Sequence, residues 1–139
     1  MDFIEQKVKH LEMIQDVIKR MAANSFQLKA WTVGVVSAVL ALIEKSELHY
    51  LLPIIIVPIL MFWGLDAYFL RMERLYRQMY DAVRLRTTTQ EIDFSLDFRP
   101  FEKTEKTWLQ VALSRTLAVF YGLLLLFVIG LLAVIALPA

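Results

Sequence analysis

One carboxylate, Asp66, stands inside the apolar run YLLPIIIVPILMFWGLDAYFL, and five residues later the chain turns basic. Arg71, Arg74, Arg77, Arg84 and Arg86 follow, interleaved with Tyr68, Tyr76 and Tyr80. A charge within a membrane span is costly and faces a partner or water rather than lipid. Asp66 therefore has two readings. It is one half of a packing pair, with Lys29 or Arg71, or it lines a water-filled path. The arginines also have two. They are topology signals with solvated i, i+4 pairs such as Arg77 with Glu73, or they form a basic ring when copies of the helix surround an axis. Guanidinium forks bind phosphate oxygens in pairs, so a ring at Arg71, Arg74 and Arg77, with Lys29 nearby, points to a nucleotide or phosphate ligand. The tyrosines suit base stacking, although Tyr68 and Tyr76 are equally explained as interface and core aromatics.

Enzyme chemistry finds little support. The chain has no cysteine, no Gly-rich phosphate loop and no Ser-centred elbow. Its two histidines, His10 and His49, are expected on opposite sides of a membrane and so cannot share a metal. No cofactor motif is present. Asp93 and Asp97 read as a solvated edge rather than an acid/base pair.

The elements that must position these residues follow from composition. The chain has 139 residues, of which 58% are hydrophobic, with mean hydropathy +0.55. A soluble domain of this size cannot bury that much apolar surface, so the class is membrane protein. The net charge of +1 gives no field for nucleic acid. Three apolar segments, Phe26–Ile43, Tyr50–Leu70 and Leu117–Leu137, fall within the roughly 17–25 residues of a spanning helix, the first near the short end. Lys and Arg gather before the first and between the second and third, while the EKSELH turn holds only Lys45. Positive residues stay inside. The expected topology has a cytoplasmic N-terminus and a C-terminus on the far side. The N-terminal stretch lacks the order of a signal peptide.

The expected fold is an all-α membrane protein with five parts. Residues 1–24 form a cytoplasmic amphipathic helix, with apolar residues at spacings of three and four from Phe3 to Met21. Asn24-Ser25 would break it or cap the first span, 25–44. The second helix, 50–86, continues past the membrane because no Gly or Pro interrupts Asp66 to Arg99. A connector, 87–106, contains EIDFSLDFR, whose strict alternation predicts a short strand over 91–99. The third span covers 107–137. Pro53 and Pro58 would kink the outer half of the second helix. Gly34, Ser37, Ala38 and Ala41 give the first span a small-residue face for close helix contact. The Leu-rich third helix is expected to face lipid.

Two stretches carry a family resemblance: IKRMAANSFQLKAWTVGVVSAVLAL, and LLPIIIVPILMFWGLDAYFLRMERLYRQMYDAVR. An "MA.NSF.LK.W" entry to the first span and an "FW.LDAY.LR.ER" exit from the second resemble the SLATT-type small bacterial membrane effectors encoded beside nucleotide-signalling and phage-defence genes. Hailong-type effectors, paired with a nucleotidyltransferase, are one such setting. The resemblance covers about Ile18 to Arg86 and leaves Thr87 to Ala139 without a matching motif. It implies a homo-oligomer, a tetramer among the options, that conducts ions, depolarises the membrane in abortive infection and answers to a nucleotide or oligonucleotide. The alternative is a non-conducting adaptor that recruits a soluble partner through its helices and strand. A third possibility is an enzyme subunit without its own active site.

Overall fold

The computed structural model describes residues 2–44 and 53–136, and within them the chain is helical with no strand. Three of its helices are long and apolar enough to cross a membrane. Helix α1 runs unbroken from Phe3 to Glu44, 42 residues and about 63 Å. Asp2 starts it by accepting the Glu5 amide at 2.8 Å, which satisfies one free N–H of the first turn. The expected break at Asn24-Ser25 does not occur, so the amphipathic helix and the first span are one element. Ser25 is buried against a neighbouring helix instead of capping its own.

Helix α2, Ile56–Arg84, follows a tight turn at residues 53–55. Pro58 is the third residue of α2, where its missing N–H has no acceptor in the helix. Pro53 lies exposed in the preceding turn. Neither proline kinks the helix interior, because the helix starts at them. Beyond Asp66, α2 continues past Leu70 and packs on the N-terminal half of α1. The two form an arm around Ile14, Val17, Ile18, Met72, Leu75, Met79 and Val83.

The connector returns along this arm. It has 3-10 turns at Thr89–Glu91 and Arg99–Phe101. The expected strand over 91–99 is replaced by turns made by the polar residues themselves. The Asp93 carboxylate accepts the Ser95 amide at 3.1 Å, the Ser95 hydroxyl accepts the Asp97 amide at 3.1 Å, and the Asp97 carboxylate accepts the Arg99 amide at 3.1 Å. Each short polar side chain satisfies the backbone two residues on, which mimics period-two alternation without a ladder. Ile92, Leu96 and Phe98 turn inward onto the arm. A lone strand leaves its amides without a ladder partner; here the Ser95, Asp97 and Arg99 amides are met by side chains two residues earlier.

The expected third span is divided. A short helix α3, Trp108–Ala112, is closed by a Thr107/Gln110 capping box. A turn through Leu113 and Ser114 then leads into α4, Arg115–Ala136. Leu117, Tyr121 and Val128 of α4 join Val36, Ile43, Ile59 and Ala67 in a second core. The opposite face of α4, including Leu123, Leu126 and Ile129, is exposed. In the membrane reading that is its lipid face.

Candidate functional site

The two cores meet at Asp66, whose side chain is fully buried. Three helices close around it. From α1, the Ser25 hydroxyl donates to Oδ1, and the Lys29 ammonium reaches Oδ2 at 2.6 Å and Ser25 Oγ at 3.0 Å. The i, i+4 spacing of Ser25 and Lys29 puts both on one face. From α4, the Tyr121 hydroxyl donates to Oδ2 at 2.8 Å. Aromatic rings wall the cluster: Trp63 stacks on Tyr121 at 5.8 Å and Phe120 meets Tyr121 edge-on at 4.8 Å. Lys29 Nζ lies 6.0 Å from the Phe120 ring centre. The carboxylate thus has three donors and no contact with solvent, and the Lys29 side chain keeps 22% of its surface open. One turn on, Thr32 is also buried and returns its hydroxyl to the Leu28 carbonyl at 2.6 Å.

Of the two partners considered for Asp66, the structure selects Lys29. Arg71 faces the connector, and its Nε donates to the Lys106 carbonyl at 3.0 Å. Arg77 pairs with Glu73 at 3.2 Å and borders an open groove with Gln15, Ile18, Tyr80 and Asp81. At 100° per residue, Arg71 and Arg77 point roughly 120° apart around α2. Arg74 has no ion pair among the described residues. Within one protomer, then, Lys29, Arg71, Arg74 and Arg77 do not converge. Tyr76 is buried and donates to the Leu96 carbonyl at 2.9 Å, so it fastens the connector. Tyr68 is half exposed.

Gly34 and Ser37 are exposed on α1, together with Ala30, Ala38 and Ala41. A Cβ at Gly34 would meet nothing within 4 Å. The small-residue face is left uncovered by the described residues.

Ser25 and Tyr121 are the members of the site that sequence reasoning missed. Their signal was present: a polar face at positions 25, 29 and 32 of one apolar segment, and a tyrosine within the Leu-rich third. His10 is a further buried polar group. Its Nε2–H donates to the Ser95 carbonyl at 2.8 Å, its ring lies against Phe94 at 5.7 Å, and its Nδ1 has no partner. It tethers the connector to α1. His49 and the EKSELH turn lie outside the described residues. No group of three potential metal ligands forms among those described.

In the connector, the Ser95 amide and then the Arg86 guanidinium hold the Asp93 carboxyl below the usual carboxylate range. The Arg99 guanidinium does the same for Asp97. These carboxylates anchor the turns.

No protein-family profile, curated protein or solved structure matches this chain.

Proposed function

We propose that this chain is a homo-oligomeric, channel-like effector of the bacterial inner membrane. In this reading it belongs to a defence system, answers to a nucleotide or oligonucleotide and depolarises the membrane when active. The observation that carries the reading is the placement of the Asp66 cluster. A buried ion pair joins three helices where the apolar part of the molecule gives way to the charged arm. Because α1 and α2 pass through that level without a break, a ligand that moves the arm moves the ion pair with it. The outward face at Gly34, Ser37, Ala38 and Ala41 suits close packing between copies. Arg71, Arg74 and Arg77 would then meet a phosphate ligand only between protomers, where each helix presents them again.

Ion flux from liposomes holding the purified protein tests this directly. With candidate nucleotides present, flux that Asp66→Asn abolishes or locks open supports the reading. Silence under every ligand and potential, from protein shown to be folded, refutes it. A second reading, a membrane adaptor, is favoured by one feature. Ile4 and Val8 are exposed near the start of α1, beside Glu5, Lys9 and Glu12, a pattern that suits helix-on-helix recruitment. The strand-addition form of that idea finds no strand among the described residues.

A further inference from the structure

The segment that separates the connector from α4 is built differently from the rest. Helix α3 buries Val111 and Ala112 on its inner side and leaves Trp108, Leu109 and, just after it, Leu113 exposed at 48%, 59% and 63%. Both of its ends are tied to adjacent residues of α2. The Trp108 indole donates to the Gly64 carbonyl at 3.0 Å, and the Trp63 indole donates to the Ala112 carbonyl at 2.8 Å. Helix α3 is thus held against α2 at both of its ends. A Cβ at Gly64 would stand 3.4 Å from the Trp108 ring, already at van der Waals contact, so a side chain longer than alanine's would meet the indole.

The depth of α3 can be read from α2. Lys106, just before α3, is held by Arg71. Arg71 lies seven residues, about 10 Å, toward the arm from Gly64. Lys106 and Arg115 flank α3, both are exposed, and neither side chain has an acid partner among the described residues. The nearby Glu105 is occupied by the Gln78 amide at 2.8 Å and by the Lys106 N–H at 3.0 Å. The outward face of α3 is therefore an aromatic and aliphatic ridge bracketed by two free cations. It lies beside the carboxylate level of a spanning helix. An indole and alkyl side chains at this depth enter the headgroup boundary, and free Lys and Arg beside them meet headgroup phosphates.

We infer that α3 is a membrane-surface helix that binds acidic phospholipid headgroups through Lys106 and Arg115, with Trp108, Leu109 and Leu113 seated in the acyl boundary. The site needs a bilayer but not conduction, so a failure to conduct would leave it standing.

The test uses the full chain in phosphatidylcholine vesicles. Spin-labelled phosphatidylglycerol and spin-labelled phosphatidylcholine are compared by the motionally restricted fraction at the protein surface. Each free cation near an acidic lipid is worth about a five-fold preference, so the wild type should favour phosphatidylglycerol by about five-fold or more. Lys106→Gln/Arg115→Gln should return the ratio to near parity. Lys9→Gln/Arg84→Gln removes the same charge from the far part of the arm and should leave the preference in place. Parity in the wild type overturns the inference. So does a preference that survives in the Lys106/Arg115 variant or vanishes in the control. Inorganic phosphate, compared with sodium chloride at equal ionic strength, separates the two sources of phosphate. Selective loss of the preference in phosphate would make this a soluble-anion site and defeat the lipid assignment.

Discussion

Replacing Asp66 by Leu removes the acceptor of three buried or half-buried donors at once. Removing one partner of a buried ion pair typically costs about 3–5 kcal/mol, because the other charge stays behind unpaired. For Asp66→Leu the residual charge is the Lys29 ammonium, which keeps 22% exposure. It can extend along its stem toward the headgroups. The predicted loss is therefore near the lower bound, about 3 kcal/mol. Lys29→Leu should cost more, toward about 5 kcal/mol, because the carboxylate left behind is fully buried and cannot move to water. The double variant Lys29→Leu/Asp66→Leu leaves only the Ser25 and Tyr121 hydroxyls short of an acceptor. It should lose about 1–3 kcal/mol, less than either single change. The assay is reversible unfolding in mixed micelles of dodecyl maltoside and SDS, followed by far-UV circular dichroism. The expected order of destabilisation is Lys29→Leu, then Asp66→Leu, then the pair, with a coupling of about 5 kcal/mol or more in the cycle. If Asp66→Leu falls within about 0.5 kcal/mol of wild type, as an ordinary surface change does, the ion pair does not hold the helices together. Strict additivity would refute the pairing itself.

Three further outcomes follow from other parts of the molecule. Leu75→Ala, at a fully buried position between α1 and α2 in the arm, should cost about 2–5 kcal/mol by the same titration. Gly64→Leu should lift Trp108 off α2, breaking its bond to the Gly64 carbonyl; a shifted tryptophan emission maximum reports it, while an unmoved spectrum would place the ring elsewhere. The connector should loosen in acid. Asp93 has a depressed carboxyl in the fold, so its contribution is complete above the unfolded carboxylate value, about 3.9. That contribution is lost as pH falls through the lower folded value. Amide exchange at Ser95, corrected for the intrinsic rate, should rise over that window in the wild type and already be raised at neutral pH in Asp93→Ala, which has no acceptor for that amide.

The parts of this fold legible in the sequence were those written in long-range hydropathy. Three apolar runs and an uninterrupted stretch from Asp66 to Arg84 correspond to helices that burial alone can select. Local polar patterns misled where side chains serve the backbone or a distant partner. Asn24-Ser25 has the composition of a cap, but Ser25 spends its hydroxyl on Asp66, 41 residues away. The EIDFSLDFR stretch has strand periodicity because every second residue is a short acceptor for the next amide but one. Trp108 and Arg115 both fit one third span by hydropathy, yet two indole bonds to α2 hold α3 apart from α4. In the site, Asp66 and Lys29 announced themselves as charges in apolar surroundings. Tyr121 did not, because a tyrosine in a span is ordinarily an interface residue. Only the packing of α4 turns its hydroxyl toward the carboxylate.

The position of the ion pair also explains why α1 stays in one piece. Its buried residues His10, Ile14, Ile18, Ser25, Thr32, Val36 and Ile43 recur at intervals of four and seven along a single seam, with Val17 beside it. A seam of that period winds slowly around a partner helix and holds its register over its whole length. Apolar side chains alone tolerate sliding by a turn, since one Ile or Val replaces another at nearly the same volume. Ser25 and Lys29 do not, because a one-turn slip of α1 past α2, about 5.4 Å, strands Asp66 among apolar groups. A buried polar contact within a helical seam is thus a register device. It fixes the arm core and the membrane core relative to each other.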